Sequence, residues 1–402
     1  MSVAKHIACI GAGPAALYFA IMAKIADVSR VIDVFGRDPL DASSGWGVVF
    51  SDQTMETLLA ADSVSCRDIT GAFRRWDNVD VHYRGQKVSS SGHGFSGIAR
   101  STLLHILRDR AQTLGINLRY GLSAADTSAN GYDLIVGADG VHSAVCEQHR
   151  AAFEPRITSG RNRFIWLSTA QVFDAFTFDF RETEFGWLIL HGYAHAADAS
   201  TVIIETSEDC WRLSGLDRAT TNESLAFCQQ LFAERLQGAA LVADSRHRST
   251  SQWVKFETKH CTRWHHDNVV LLGDAAHTAH FSIGSGTRMA MEDAIALVQC
   301  LAQQGTVTDA LTRYQKVREP EALKIVNAAR NRMQWFENVS RYTKFDPLQF
   351  TYSLFTGSQR ISHGNMRLRD PQLVADIERQ IATQAGLKSA VPPMFTPFSC
   401  VS

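Results

Sequence analysis

The apolar run His6 to Ile10 breaks directly into Gly11-Ala12-Gly13-Pro14-Ala15-Ala16, and this order constrains the fold more than any other feature. A short apolar run ending in glycine suits a buried parallel strand. Pro14 sits where a first helical turn tolerates proline, and Ala15 to Ile25 carries a largely apolar helical face. Val31 to Phe35 then reads as a second strand, so the chain opens with a β-α-β unit. The turn is a G-x-G-x-x-A pattern. Gly11 permits the tight turn, Gly13 lets backbone approach a pyrophosphate, and Ala16 keeps helix and strand close. The helix N-terminus adds unpaired N–H groups and partial positive charge for phosphates. In such units an acid ~20 residues further on takes the ribose hydroxyls, but that position is Gly36, which has no side chain. Asp33 has the wrong parity, since strand residues three apart point to opposite faces. Arg37 or Asp38 is left for the adenosine end, with backbone or water as an equal alternative.

Further along, Ser101 or Thr102 can cap a helix whose Leu103, Leu104, Leu107 and Leu114 follow helical spacing, closed by Gly115. Asp133 to Val136 and Val269 to Leu272 are buried-strand candidates, each running into a Gly/Asp turn. Between them the texture changes: FIWLSTAQVF, WLILHGY and STVIIETS are strand-like and aromatic-rich, separated by polar turns. Asp309 to Phe336 is helical again, and the prolines of VPPMFTPF exclude regular structure near the end. These readings predict an α/β chain. A Rossmann-like domain is built from separated segments, 1–153 and 265–330. A mostly antiparallel sheet domain over 154–264 is inserted between them, and a helical segment with a tail follows over 331–402.

With 40 Lys+Arg against 41 Asp+Glu, nothing favours nucleic acid or a membrane surface as a partner. A local basic pocket for a phosphorylated substrate stays open. The eight cysteines show no zinc spacing, so no metal is expected, and reduced thiols in a cytoplasmic protein are the plain reading. The N-terminus lacks a signal-peptide pattern, and AALYFAIMA falls well short of the ~20 apolar residues of a membrane span.

Three motifs occur in order: GAGPAA, DLIVGADGVHS (Asp133 to Ser143) and VVLLGDAAHTAHFSIGSGT (Val269 to Thr287). Together they resemble the FAD-dependent aromatic hydroxylases, the single-component flavoprotein monooxygenases, along nearly the whole chain. Within that family GWGVVFSD, GHGFSGIARSTLL, GRNRFIWLST and HFSIGSGT are similar to the hydroxylases of aromatic CoA thioesters, salicylyl-CoA 5-hydroxylase and the monooxygenase half of 2-aminobenzoyl-CoA monooxygenase/reductase. Hydroxylases of large indolic metabolites (VioD-like) share several of these stretches and form the alternative. A non-catalytic flavin-binding protein is the alternative of another class.

The resemblance implies bound FAD, with NAD(P)H and O2 as co-substrates, in a monomer or homodimer acting on a small aromatic molecule through a flavin C4a-hydroperoxide. It implies that Gly11, Gly13, Pro14, Ala15 and Ala16 hold the dinucleotide and that Asp274, after Gly273, bonds the ribityl chain. Asp139 and Gly140 would lie near the pyrophosphate, Arg100 on the dinucleotide backbone, and Gly284, Gly286 and Thr287 at the pyrimidine end of the flavin; Val48 and Arg37 complete the cofactor set. Phe281 and Ser282, with Trp166 and Arg161, are the substrate candidates, and Arg161 or Arg163 could instead be solvated surface. His280 is the candidate base for a phenolic proton, because histidine titrates near neutrality; His277 is expected in the loop's own hydrogen-bond network. Beyond Gly36, the chain has Cys146 where most relatives carry arginine, and Phe281 and Arg288 where most carry proline and asparagine.

Overall fold

The computed structural model describes residues 4–39, 46–122, 131–243 and 253–386. The opening unit forms as its sequence dictates: strand His6–Ile10, helix Pro14–Ala26 and strand Val31–Gly36. Leu17, Tyr18, Phe19 and Ile21 of the helix are fully buried. Each such side chain contributes roughly 1.5–3 kcal/mol relative to an exposed one. The six-stranded sheet runs, by residue, 265–266, 269–271, 134–137, 6–10, 31–36 and 117–120. Its strands pair in parallel except at the 265–266 edge. Three neighbouring strands, 6–10, 134–137 and 269–271, therefore end side by side. Each ends at one of the three motif turns, and ligands bind open α/β sheets at that carboxyl edge.

A second sheet of eight strands lies beside the first, ordered 241–243, 155–169, 200–206, 186–194, 176–183, 79–83 and 86–90, with 254–261 also paired to 155–169. Its boundary differs from the expected 154–264. Strands Val79–Tyr83 and Gln86–Ser90, from the first segment, extend it through a parallel pairing with Phe176–Thr183. The alternating apolar residues Val79, Val81 and Tyr83 share one buried face with Phe178 and Phe180, covered by Phe336 and Phe350, so the pairing follows the face they must fill. The 15-residue strand Pro155–Thr169 pairs with Val254–Cys261 along its first half and Ser200–Thr206 along its second, with a bulge between Ser159 and Arg163.

The helix Arg100–Thr113 begins one residue before its expected caps: Ala99 is the N-cap and no side chain caps it, while Gly115 closes it at φ +73°. Helix Gly286–Leu301 packs on the opening helix, and the 31-residue helix Val307–Glu337 spans both sheets' flank, its N-terminus fixed by a Thr306/Asp309 capping box. Helices Pro347–Thr356, His363–Arg369 and Pro371–Gln384 cover one face of the second sheet, where Tyr83 stacks on Phe350 at 3.9 Å. The proline-rich tail lies outside the described residues. Among the described residues, no helix is long and apolar enough to cross a membrane, and no group of three or more His, Cys, Asp or Glu could hold a metal ion.

Candidate functional site

At the carboxyl edge of the first sheet, a cleft of about 320 Å³ is lined by Gly11, Gly13, Gly36, Arg37, Asp139 and Gly140, among others. Gly11 sits at φ +108°, and a Cβ there would lie 2.3 Å from the Ala138 carbonyl oxygen. Only glycine fits where the first two motif turns cross. Gly13 is the N-cap of Pro14–Ala26 and offers no side-chain cap, so the first helical amides face the cleft unclaimed. Ala16 is fully buried between helix and strand, and Ala15 meets the next motif turn, its Cβ 3.5 Å from the position a Gly273 Cβ would take. Asp139 accepts the amides of Ala144 (2.7 Å) and Val145 (3.3 Å) on one oxygen, while its other oxygen is buried with no donor among the described residues. Uncapped amides for phosphates and an orphaned acceptor for a ligand hydroxyl fit the pyrophosphate and sugar portion of FAD.

Gly36 has a physical reason. A Cβ there would sit 2.6 Å from Cδ1 of Tyr120 and 3.0 Å from the Ala12 Cβ, so the Tyr120 ring fills the place of the missing acid. Asp33 is turned away from the cleft, paired with Arg119 at 2.9 Å and accepting Tyr132 Oη at 3.0 Å. Arg37 lies at the cleft's rim, exposed, beside Asp38 at 3.3 Å. Cys146 is buried, its sulfur 3.7 Å from that of Cys261; the Cys261 thiol beside it, ahead of nearby Lys259, draws the Cys146 thiol below its ordinary range. The cation near the Asp-Gly turn comes instead from buried Lys259, whose ammonium donates to the Val141 carbonyl at 3.0 Å. Nothing in the local sequence marks Lys259, since it reaches the turn from a strand more than a hundred residues away.

Arg100 lines both this cleft and a larger cavity of about 880 Å³. That cavity is lined by Val48, Asp274, Gly284, Gly286 and Thr287 on one side and by Phe164, Trp166, Phe281 and Ser282 on the other. Helix Gly286–Leu301 has no side-chain cap at Ser285, so its first amides are open to the cavity, as an anionic ring edge would require. Gly273 (φ +59°) turns the chain so that Asp274 opens onto the cavity. Enclosure by protein on its other sides raises the Asp274 carboxyl above the usual range, against the pull of His277 and Arg100. A hydroxyl-bearing ligand chain beside it would supply donors. Phe281 packs at 4.8 Å from Phe164 and 5.8 Å from Trp166, forming an aromatic wall.

His277, His280 and His191 take separate places. His277 Nε2 lies 2.9 Å from Asp293, which also accepts the Gly273 amide at 3.3 Å and Arg318 Nε at 2.8 Å, so this network pins the turn. His280 does not line the cavity; its Nδ1 is 2.8 Å from Ser282 Oγ, and burial pushes its imidazole down to about 4. His191, which the sequence did not single out, does line it. It is 1% exposed, and neither ring nitrogen has an aligned hydrogen bond, although Nε2 lies 3.2 Å from Glu205. Burial pushes the Glu205 carboxyl up, but His191 holds it below the usual range, and Asn162 donates to it at 2.8 Å. Arg161 is turned away, exposed and bound to Glu337 (3.1 Å) and Asn338 (3.1 Å) at the end of the long helix. Arg163 reaches the cavity wall but is engaged by Glu208 at 2.8 Å and lies over Trp211.

A family model described as an FAD binding domain matches residues 131–329. Salicyloyl-CoA 5-hydroxylase from Streptomyces sp is 35% identical over 92% of this chain and 73% of its own length. A 3-hydroxy-4-methyl-anthranilyl-[aryl-carrier protein] 5-monooxygenase from Streptosporangium sibiricum is 33% identical over 81% of this chain and 87% of its own. Protodeoxyviolaceinate monooxygenase from Chromobacterium violaceum is 31% identical over 86% and 93%. In fold, the chain is similar to 2-methyl-3-hydroxypyridine-5-carboxylic acid oxygenase, with a TM-score of 0.69 and 17% identity over 91% of this chain and 98% of that one. Relatives of this identity and span, meeting a cleft whose backbone is shaped for the dinucleotide, make the chain a member of the FAD-dependent aromatic hydroxylases, monooxygenases that use O2.

Proposed function

We propose that this enzyme hydroxylates a 2-hydroxy- or 2-aminobenzoyl group, carried as a thioester, at ring position 5, with NAD(P)H as reductant. One observation carries the reading: a single cavity joins the uncapped Gly286–Thr287 helix start to the Phe164, Trp166 and Phe281 wall, so a flat ring and a flavin can share one space. The names of two relatives point to CoA- and carrier-bound aromatic acids as their substrates.

The residues divide the work. Gly11, Gly13, Arg100, Asp139 and Gly140 would hold the pyrophosphate portion, Asp274 the ribityl hydroxyls, and the amides from Gly284 to Thr287 the pyrimidine edge. When bound and reduced, FAD supplies O2 activation and transfer of one oxygen atom to the ring. Phe281 and Trp166 orient the ring and exclude water. His191 Nδ1 takes the proton of the ring hydroxyl, and the Glu205 carboxylate, 3.2 Å from Nε2, stabilises the imidazolium that forms. Deprotonation raises electron density para to the substituent, which is position 5. His280, held neutral, orders the loop through Ser282.

The test is NADH and NADPH oxidation and product mass with 2-aminobenzoyl-CoA, 2-hydroxybenzoyl-CoA and the corresponding free acids. A product one oxygen heavier from a thioester is expected. Turnover of the free acids alone would overturn the thioester assignment.

A further inference from the structure

A second cavity of about 560 Å³ opens from the first; the two share Val49, Phe176, Ser282, Gly284 and Ser285. Its neck is apolar and hydroxyl-lined, with Phe95, Phe178, Ile283 and Phe355 beside Ser282 and Ser285. Its lining also carries four arginines from separate segments: Arg288, Arg332, Arg360 and Arg369.

The acids around this cavity do not balance those charges. Arg288 is paired with Glu292 at 2.7 Å, and Glu292 also takes Arg318 at 3.2 Å. Asp77, the one carboxylate in the lining, is occupied by the amides of Gly92 (2.9 Å) and Gly94 (3.2 Å). Asp370, next to Arg369, caps the last helix at Leu373 (2.9 Å) and holds the Ser91 amide (2.9 Å). His93 is no cation either, since burial, ahead of nearby Arg369, pushes its imidazole down to about 4. Among the described residues neither Arg360 nor Arg369 forms a salt bridge, and Arg360 lies in the field of Arg288 and Arg369, with Glu292 opposing them.

Arg332 is the decisive group. It is 8% exposed, and among the described residues it donates only to the Leu354 and Phe355 carbonyls while its buried Nε has no partner. A buried guanidinium without a carboxylate is unfavourable unless an anion completes it. Arginine forks match phosphate oxygens in geometry as well as charge.

We propose that this cavity seats the phosphate of a phosphorylated pantetheine arm whose aryl thioester end occupies the flavin cavity. The inference rests on the thioester reading above. The neutral neck suits an arm of amides and methylenes, and the arginines lie where its phosphate emerges. A coenzyme A thioester and a carrier protein's prosthetic arm share this chemistry.

The experiment compares 2-aminobenzoyl and 2-hydroxybenzoyl thioesters of pantetheine, 4′-phosphopantetheine, coenzyme A and a phosphopantetheinylated carrier protein. KM and kcat are measured for the wild type and for the Arg360→Gln/Arg369→Gln double variant, whose two sites are exposed; Arg332→Gln is the second variant. For the wild type, KM for the phosphorylated forms is expected to be lower than for the pantetheine thioester by about tenfold or more. The double variant should erase that gap with kcat held, leaving the pantetheine KM in place. Preference for coenzyme A or for the carrier protein names the source, and either supports the seat. Equal wild-type KM values for pantetheine and phosphopantetheine thioesters, or a variant that raises both alike, would overturn it. Turnover of free acids with no thioester used is a different result: it removes the thioester reading itself.

Discussion

The cofactor side of the site, cleft and main cavity together, and its substrate side are built from different materials. The cofactor wall is backbone: Gly11, Gly13, Gly140, Gly284 and Gly286, with two uncapped helix starts. The substrate wall is side chain: Phe164, Trp166, Phe281 and His191, drawn from three separated segments. Backbone geometry admits few residue types, so it leaves a pattern in the sequence. A side-chain wall admits many, and its members meet only through sheet register.

The largest effect expected on either wall is Gly11→Ala. The added Cβ would meet the Ala138 carbonyl at 2.3 Å from a backbone at φ +108°, where neither neighbour can yield. Overpacking and backbone strain together should cost about 2–4 kcal/mol and abolish cofactor retention. The flavin-to-protein ratio after purification checks this; a yellow, fully loaded variant would show that the crossing of the two turns is not tight.

The same contrast sets what could be read before the structure. The β-α-β opening, the three motif turns on one sheet edge and the long helix near 309–336 were legible, because glycine turns and apolar periodicity are local. The Glu205–His191 pair was not. Asn162, Glu205 and His191 lie on three strands, and only the pairings of Phe164 with Glu205 and of His191 with Ile203 bring them together. Tyr120 filling the space at Gly36, and Lys259 serving the Asp-Gly turn, are likewise cross-strand facts. The expected sheet boundary failed for that reason too: nothing local says that 79–83 pairs with 176–180 and carries 86–90 into the sheet with it.

On the side-chain wall, His191→Asn should lower kcat by roughly 10²-fold, the share of a positioned base. The defect should shrink as pH rises past the point where the substrate's own hydroxyl ionises. Because His280 Nδ1 is turned to Ser282 outside the cavity, His280→Gln should perturb turnover less and show no such recovery. A pH profile of kcat for both variants decides the matter; recovery at high pH in His280→Gln alone would transfer the role back to His280.

A smaller, pH-linked effect follows from the histidines held neutral by burial, His93, His195 and His280, each pushed from 6.5 down to about 4. The unfolded chain takes up these protons first as pH falls, so folding stability should decline between about pH 6.5 and 4. Each group contributes up to ~1.4 kcal/mol per pH unit within that window. Urea midpoints across the window measure the slope, and His280→Gln should reduce it by one group's share. A flat profile would mean these rings are hydrated, and the substrate side less dry than its packing implies.

The smallest effect sharpens the comparison most. Arg161 and Arg332 are the same residue type, and the sequence left Arg161 open as either a substrate contact or solvated surface. In the fold, Arg161 is exposed and already paired with Glu337 at 3.1 Å, so it has no charge to offer a ligand. Arg332 is buried and has no carboxylate partner among the described residues. Arg161→Gln should therefore leave KM and kcat unchanged and alter stability by no more than about 1 kcal/mol, the range of exposed ion pairs. A rise in KM for a thioester in Arg161→Gln would show that the ion pair with Glu337 opens to meet substrate. In that case a charged residue's role could not be inferred from the partner it holds in the ligand-free fold.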